Sequence, residues 1–251
     1  MVLTVSKKPV DLERDKQNLD RIRNLKDEKE SLEIENVDLT SIDDSARGEI
    51  VKCLRCEKEV LKAFLDDHMN SHSSEIRPWL FLGGSRNAEN EAELTIRTNI
   101  THILNVAGGE SAMPHWTTEA VQVYNKERGA PFVYKKLTWT DTADQNLLAQ
   151  MQEALEFIRE AHASDPTHHV LVHCVQGISR SSSVVIAYLM LDEQMSLRDA
   201  FNHVRACRPL AEPRPQFLDQ LGQLECSQFG LQSPTLKSEE IYGGRTMFNV
   251  G

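Results

Sequence analysis

The most constraining feature of the sequence is an apolar run of strand length that leads through a short loop into an apolar run of helix length. Residues 169–173, HVLVH, are β-branched and aliphatic at their centre, which is typical of a strand buried on both faces. Residues 183–191, SVVIAYLML, are apolar on every side, as a fully buried helix is. This succession predicts a parallel sheet covered by helices on both of its faces.

The segments around this pair alternate in the same way. Helical periodicity is clearest in residues 146–163, where Leu147, Met151, Leu155 and Ile158 fall on one face. The pattern predicts an α/β fold with a central, mostly parallel sheet flanked by helices. The remaining predicted strands are WLFLGG, THILNVA and FVYKKL, and the remaining predicted helices are 91–98, a helix that starts at the capping box Ser196-Leu-Arg-Asp199, and about 215–226.

The loop between the two apolar runs is a candidate anion site. Its residues follow the carboxyl end of a predicted parallel strand, which is where such sheets bind ligands. The amides of residues 175–180 can curl around one tetrahedral anion, and Gly177 supplies the backbone freedom that the curl requires. The predicted phosphate-binding residues are Val175, Gln176, Gly177, Ile178, Ser179 and Arg180.

Three side chains of the loop have the chemistry of phosphate transfer. The amides and the helix dipole that bind an anion also stabilise a thiolate, which makes Cys174 a candidate nucleophile. Arg180 can hold two phosphate oxygens with its planar guanidinium. Ser181 can donate a hydrogen bond to the sulfur and make it a better leaving group. The alternative is that Cys174 is one more small buried apolar residue, which leaves the flanking Gly, Arg and Ser unexplained.

These residues resemble the dual-specificity branch of the protein tyrosine phosphatases. The motif of His-Cys, five residues, Arg and Ser or Thr is present without a gap, and the similarity extends over residues 76–228. The resemblance implies a phosphocysteine intermediate at Cys174 and hydrolysis of phosphotyrosine, phosphoserine and phosphothreonine. It implies no cofactor for catalysis.

A carboxylic acid is needed to protonate the leaving oxygen. The segment TWTDTADQN, between a predicted strand and the predicted helix 146–163, contains Asp141 and Asp144. The resemblance favours Asp141, because the family's acid lies about thirty residues before the cysteine and just ahead of such a helix. Asp144 remains the alternative acid, and it can also be the N-cap of that helix.

The surroundings of the loop bear on the substrate. The residues between Cys174 and Arg180 include no Lys, Arg or His, whereas relatives that act on phosphoinositides or RNA 5′ ends tend to have them there. We therefore expect a phosphoprotein substrate, with phosphoinositide or phosphoglucan as the alternative. Arg205 and Arg208 can bind a second acidic group or form a solvated helix end. Arg214 occupies the position where the family usually has an Asn that braces the phosphate loop.

A second motif precedes the phosphatase-like region. Cys53, Cys56, His68 and His72 have the spacing of a structural zinc site, with the two His on one face of a helix. The segment 51–74 has too few apolar residues to fold unaided, so a bound zinc ion is expected to stabilise it. Its spacing is similar to that of small ubiquitin-binding fingers. A coincidental group of Cys and His on an exposed helix is the alternative.

Composition defines the other segments. Residues 1–50 are rich in charge and lack aromatics, which predicts a charged helical or disordered region, with a partner-binding helix as the alternative. Residues 76–228 are the predicted catalytic domain, and residues 229–251 are predicted to be a flexible tail. Residues 108–131 receive no assignment. A protein partner is expected to bind through residues 1–74.

The whole chain excludes several classes of function. Its 38 acidic and 28 basic residues give a net charge of −10, which offers no broad basic surface for nucleic acid. No apolar run approaches the length of a membrane span, and the start does not read as a signal peptide. Five unevenly spaced cysteines suggest reduced thiols, hence the cytoplasm or the nucleus. An adaptor or pseudophosphatase is the competing function, and the presence of Cys174, Arg180 and Asp141 favours activity.

Overall fold

The computed structural model describes residues 49–53, 59–64, 68, 71–90, 93–108 and 132–243, and within them it has two sheets. The strands are β1 (Ile50–Lys52), β2 (Glu59–Leu61), β3 (Ser74–Arg77), β4 (Leu80–Gly83), β5 (His102–Asn105), β6 (Val133–Lys136) and β7 (Val170–His173). The helices are α1 (Ser85–Glu89), α2 (Leu148–Ser164), α3 (Arg180–Asp192), α4 (Leu197–Cys207), α5 (Pro215–Phe229) and α6 (Ser238–Tyr242).

The main sheet has the order β3-β4-β7-β5-β6, and the most apolar strand is at its centre. Only the β3–β4 pair is antiparallel in this sheet, so the predicted mostly parallel α/β fold is confirmed. His173, the last residue of β7, is in register with Gly83 of β4 and Asn105 of β5. The loop that follows His173 therefore starts between the carboxyl ends of two neighbouring parallel strands, which is the position predicted for the anion site.

Most helices begin and end close to their predicted limits. One predicted cap is confirmed, and two other predictions differ from the structure. Ser196 caps α4, since its hydroxyl accepts a hydrogen bond from the Asp199 amide, as predicted. The N-cap of α2 is Leu147, so the alternative that Asp144 caps this helix is wrong. Residues Glu93–Arg97 form a π-helical turn instead of a regular α-helix.

The core lies between the sheet and the helices. Every residue of α3 from Arg180 to Met190 is buried, in agreement with its apolar sequence. This helix packs against α2, α4 and α5 and against β7. The loop after β7 is consequently held between a buried strand and a buried helix, and its position is set by the core on both sides.

A small hairpin precedes the main sheet and was not predicted. β1 and β2 pair in antiparallel fashion, with Ile50 opposite Leu61 and Lys52 opposite Glu59. Of the sequence assignments, those for residues 1–48 and 109–131 fall outside the described residues. Within the described ranges, no helix has both the length and the apolar character needed to cross a membrane.

The prediction of a flexible tail is wrong for residues 229–243. α5 continues to Phe229 and ends at Gly230, and the chain then folds back so that Leu236 is buried. The amide and hydroxyl of Thr235 each donate a hydrogen bond of 2.7 Å to the buried Glu225 carboxylate. The Tyr242 hydroxyl donates to the Pro213 carbonyl. Residues 244–251 lie outside the described part of the chain.

The packing of this segment can be tested with two leucines. Leu236 is 2% exposed whereas Leu231 is 40% exposed, so they differ in burial but not in chemistry. Leu236→Ala should lower the free energy of unfolding by about 2–4 kcal/mol, because it leaves a cavity in the core. Leu231→Ala should change it by less than about 1 kcal/mol. Urea unfolding of both variants measures the difference, and equal small effects would show that the segment is not part of the core.

Candidate active site

The predicted nucleophile lies at the base of a surface cavity of about 360 Å³. The Cys174 sulfur accepts hydrogen bonds from the Gly177 amide at 3.2 Å and from the Ser181 hydroxyl at 3.3 Å. Both donors are thus placed to hydrogen-bond the sulfur when it acts as nucleophile and as leaving group. The residues that line the cavity are Asp141, Cys174, Val175, Gln176, Ile178, Ser179, Arg180, Glu212 and Arg214.

The loop carbonyls are held away from the sulfur. The Val175 carbonyl accepts from the Ser85 amide at 2.9 Å. Arg208 donates from Nε to the Gly177 carbonyl at 2.7 Å and from Nη2 to the Gln176 carbonyl at 3.1 Å. The C=O and N–H of one peptide plane point in opposite directions, so these contacts turn the amides of residues 176–178 towards the cavity.

The role of Arg208 corrects the sequence interpretation. Arg208 is buried, and its guanidinium is bonded to the phosphate loop, so the interpretation of a solvated helix end is wrong for it. Arg205 is partly exposed and lies 3.9 Å from the Glu212 carboxylate. Neither Arg208 nor Ser85 could be assigned to the loop from local sequence, because each acts across a long stretch of chain.

Arg180 is the first residue of α3, and its guanidinium is buried with hydrogen-bond donors that can still bind an anion. Its Nη1 donates to the Trp139 carbonyl at 3.0 Å, which fixes the orientation of the side chain. Its Nε is buried without a hydrogen-bond partner among the described residues, 3.9 Å from an Asp141 carboxylate oxygen. A buried cationic donor without a partner is costly, and an oxyanion in the cavity would satisfy it.

Of the two candidate acids, only Asp141 lines the cavity. Its second carboxylate oxygen accepts a hydrogen bond of 2.9 Å from Arg214 Nε. Asp144 is exposed on the same loop, and a hydrogen bond from Thr142 lowers the pKa of its carboxyl group. Because Asp144 is exposed and does not line the cavity, it is poorly placed to donate a proton into it.

The His173 side chain hydrogen-bonds the backbone at the start of the phosphate loop. It is almost fully buried, and burial lowers the pKa of its imidazole to about 4. The side chain is therefore neutral at pH 7, and its Nδ1–H donates to the Cys174 carbonyl at 3.0 Å. This hydrogen bond fixes the peptide group between Cys174 and Val175. Because the His173 imidazole is neutral, it adds no positive charge beside the sulfur.

Three of the four predicted metal ligands come together. His72 Nε2 lies 3.3 Å from His68 Nε2 and 3.6 Å from the Cys53 sulfur. A tetrahedral zinc ion would set its ligand atoms about 3.3 Å apart for two nitrogens and about 3.6 Å apart for nitrogen and sulfur. Cys56, the fourth predicted ligand, is outside the described residues. The group of Cys53, His68 and His72 could therefore hold a metal ion.

A buried carboxylate orients one of these ligands. Glu93 accepts from His72 Nδ1 at 3.1 Å, which leaves His72 Nε2 as the nitrogen that faces the group. Although burial acts to raise the pKa of Glu93, hydrogen bonds from Arg97, Ser73 and His72 lower it to about 2. Glu93 is consequently an anion beside the metal-binding group, a contact for which the sequence contained no signal.

Two glycines of the chain test the shape of the phosphate loop. Gly177 has φ of +71°, and an added Cβ would lie 2.5 Å from the Gly83 backbone, whereas Gly230 has φ of +66° and open space around it. Gly177→Ala should abolish binding of inorganic phosphate, because the loop must move to admit the methyl group. Gly230→Ala should cost about 1 kcal/mol of stability and leave binding unchanged. Isothermal titration compares the two, and phosphate binding by Gly177→Ala would contradict the loop geometry.

The comparisons with known proteins agree with this geometry. Residues 80–227 match the sequence model described as the dual specificity phosphatase catalytic domain. The chain is 37% identical to mouse dual specificity protein phosphatase 19 over 147 residues, which cover 58% of this chain and 59% of that protein. It is also 37% identical to human protein phosphatase Slingshot homolog 3 over 164 residues, which cover 63% of this chain and 22% of that protein.

Solved structures show the same relationship. The human tyrosine phosphatase-like serine/threonine/tyrosine-interacting protein aligns with a TM-score of 0.51 at 30% identity, over 63% of this chain and 99% of that one. The chain matches less than two thirds of the length of each of the two phosphatases named above. It matches nearly the whole length of this solved structure. With the family sequence model spanning more than half of its residues, the chain belongs to the dual specificity phosphatase family.

Proposed function

We propose that this protein is a protein phosphatase that hydrolyses phosphotyrosine and phosphoserine or phosphothreonine through a phosphocysteine at Cys174. The observation that carries the proposal is the Cys174 sulfur with two hydrogen-bond donors, in a cavity that Arg180 also lines with a guanidinium whose Nε has no hydrogen-bond partner in the described part of the chain. A nucleophile and an anion site thus occupy the same cavity. An adaptor would need neither of them.

In the first step the Cys174 thiolate attacks the phosphorus in line with the ester oxygen. The new S–P bond forms as the P–O ester bond breaks, and the electron pair leaves on the oxygen. Asp141, protonated, gives its proton to that oxygen. The equatorial oxygens are stabilised by Arg180 and by the inward amides of residues 176–178.

In the second step Asp141, now a carboxylate, takes a proton from a water molecule that attacks the phosphorus. The S–P bond breaks and the electron pair returns to the sulfur, so inorganic phosphate and the thiolate are released. The Ser181 hydroxyl at 3.3 Å stabilises the departing sulfur. Side chains and amides of this chain complete each step, without a catalytic cofactor.

A singly phosphorylated protein side chain is the proposed substrate. The five residues between Cys174 and Arg180 carry no cationic side chain, and the Glu212 carboxylate lines the cavity. Glu212 offsets the charge of Arg214 in the cavity lining, so the lining described has no cluster of basic side chains for a second phosphate, which disfavours phosphoinositides. The net charge of the chain disfavours nucleic acid in the same way.

The Cys/His group is proposed to hold one structural zinc ion with Cys53, Cys56, His68 and His72 as ligands. The separations of 3.3 and 3.6 Å and the Glu93 contact to His72 support a closed tetrahedral site. We retain residues 1–50 as a charged region, residues 51–74 as the metal-binding segment and residues 76–228 as the minimal catalytic domain. A protein partner is proposed for residues 1–74.

The proposed location is the cytoplasm or the nucleus. Catalysis requires Cys174 in its reduced form, which a reducing compartment maintains. The described cysteines Cys53, Cys174, Cys207 and Cys226 form no disulfide.

The nucleophile is tested by a serine substitution with a matched control. Cys174→Ser should lower turnover of p-nitrophenyl phosphate and of phosphotyrosine and phosphoserine peptides by at least about 10³-fold, because the weaker nucleophile lacks an activating base. Phosphopeptide binding should persist and allow trapping of the substrate. Cys226→Ser, a change at a cysteine outside the cavity, should keep full activity. Wild-type turnover by Cys174→Ser would end the proposal, and a preference for phosphoinositides would overturn the substrate class.

The metal is tested by elemental analysis and thermal unfolding. We expect about one zinc per chain, and a chelator or His68→Ala should remove it and lower the melting temperature by at least about 5 °C. His168→Ala, at a histidine outside the group, should keep the zinc. Turnover of p-nitrophenyl phosphate at 25 °C should persist without zinc, because no ligand lines the cavity. An unchanged melting temperature after chelation would contradict a structural zinc site.

A further inference from the structure

The residue that this chain has in place of the family's Asn contacts the acid directly. We propose that Arg214 is a positioning residue that holds Asp141 over the cavity for proton transfer. The inference rests on the proposed function, because it takes Asp141 as the general acid. Arg214 thereby gains a role that its position in the sequence did not indicate.

Arg214 links the acid loop to the phosphate loop. Its Nε donates to Asp141 Oδ1 at 2.9 Å, and its backbone amide donates to the Ser179 hydroxyl at 3.1 Å. Pro215 begins α5 directly after it, and the fixed φ of proline limits the movement of the backbone at this point. The backbone of Arg214 is thus anchored to the phosphate loop while its side chain reaches the acid.

The carboxylate of Asp141 lies between two cations. Oδ1 is bonded to Arg214, and Oδ2 is 3.9 Å from Arg180 Nε. When a phosphate group fills the cavity, Arg180 bonds to its oxygens and its attraction for Asp141 is reduced. Within the described part of the chain, Arg214 is then the cation that keeps the acid loop in place.

The contact also selects the oxygen that carries the proton. A guanidinium donates hydrogen bonds and cannot accept them, so Oδ1, which faces Arg214, remains an acceptor. When Asp141 acts as the acid, the proton it transfers is therefore the one on Oδ2, the oxygen that lies 3.9 Å from Arg180 Nε. As the P–O bond breaks, that proton passes from Oδ2 to the leaving oxygen, and Asp141 becomes a carboxylate that Arg214 stabilises.

A different role for Arg214 is direct binding of an acidic group of the substrate. The Arg214 side chain is 50% exposed and lines the cavity, so it is accessible to such a group. Its Nε is already bonded to Asp141, which is 33% exposed and would lose this hydrogen bond if the guanidinium turned outward. If Arg214 positions the acid, removing it lowers kcat, and does so most for substrates whose leaving oxygen needs a proton. If Arg214 binds the substrate, removing it raises KM on both kinds of substrate.

The test compares Arg214→Gln and Arg214→Lys on two substrates with different leaving groups. A phosphoserine peptide needs a proton on its leaving oxygen, whereas p-nitrophenyl phosphate has a good leaving group and depends on it less. Arg214→Gln should lower kcat about tenfold for the peptide and less than twofold for the aryl ester, with KM unchanged. Arg214→Lys should recover part of the loss. Arg198→Gln, which breaks the exposed pair with Glu240, is the charge-matched control and should change neither constant.

A double-mutant cycle with Asp141→Asn isolates the contact. We expect Asp141→Asn alone to lower peptide turnover strongly, and Arg214→Gln to add nothing in that background. Equal losses on both substrates that persist beside Asp141→Asn, with raised KM, would assign Arg214 to substrate binding and overturn the inference. Faster peptide turnover by Arg214→Gln would also overturn it. If Asp141→Asn itself spares the peptide, the assignment of the acid in the proposed function fails, independently of Arg214.

Discussion

The hydrogen bonding of the loop at the end of β7 is the constraint on which the site depends. The almost fully buried Cys174 sulfur accepts hydrogen bonds from the Gly177 amide and the Ser181 hydroxyl. The amides can face inward only because the carbonyls of the same peptides are bonded outside the loop. The outer contacts, chiefly those of Arg208 and Ser85, are therefore as necessary to the anion site as the inner ones.

The sheet order supplies the space for these contacts. β4 and β5 flank β7, and Gly83 at the end of β4 lies so close to Gly177 that a side chain at Gly177 could not fit between them. The buried α3 then starts at Arg180, and its interior position leaves that guanidinium little freedom. The packing of the fold therefore fixes the site through backbone contacts, and few substitutions at Gly83, Gly177 or Arg180 would preserve them.

The parts of the molecule that were predictable are those encoded within a short stretch of chain. The strands and helices of the core follow from apolar runs, and the loop at Cys174 follows from residue types at fixed offsets. The contacts of Arg208 with the phosphate loop, of Glu93 with His72 and of Arg214 with Asp141 could not be assigned, because the partners lie more than twenty residues apart and each charged residue is compatible with a solvated surface. Three-dimensional proximity was needed to identify their contacts.

The final described segment shows why composition misleads. Its Ser, Gly and polar residues are typical of a mobile tail, yet the buried Glu225 carboxylate needs donors, and the Leu197 amide and Thr235 provide them. A polar sequence is therefore ordered here by a polar partner in the core. Local hydropathy contains no information about that partner, because Glu225 is on the preceding helix and reads as one of its solvated positions.

The charges around the cavity limit what the site can hold. Arg180 and Arg214 are the basic side chains that line it and Asp141 and Glu212 the acidic ones, so its lining has no excess of basic side chains. On the proposed function, a phosphate dianion is held chiefly by the amides of residues 176–178 and by Arg180. The described lining has no further cluster of basic side chains for a second phosphate on the same ligand. Selection between phosphoproteins would then rely on surfaces outside the cavity.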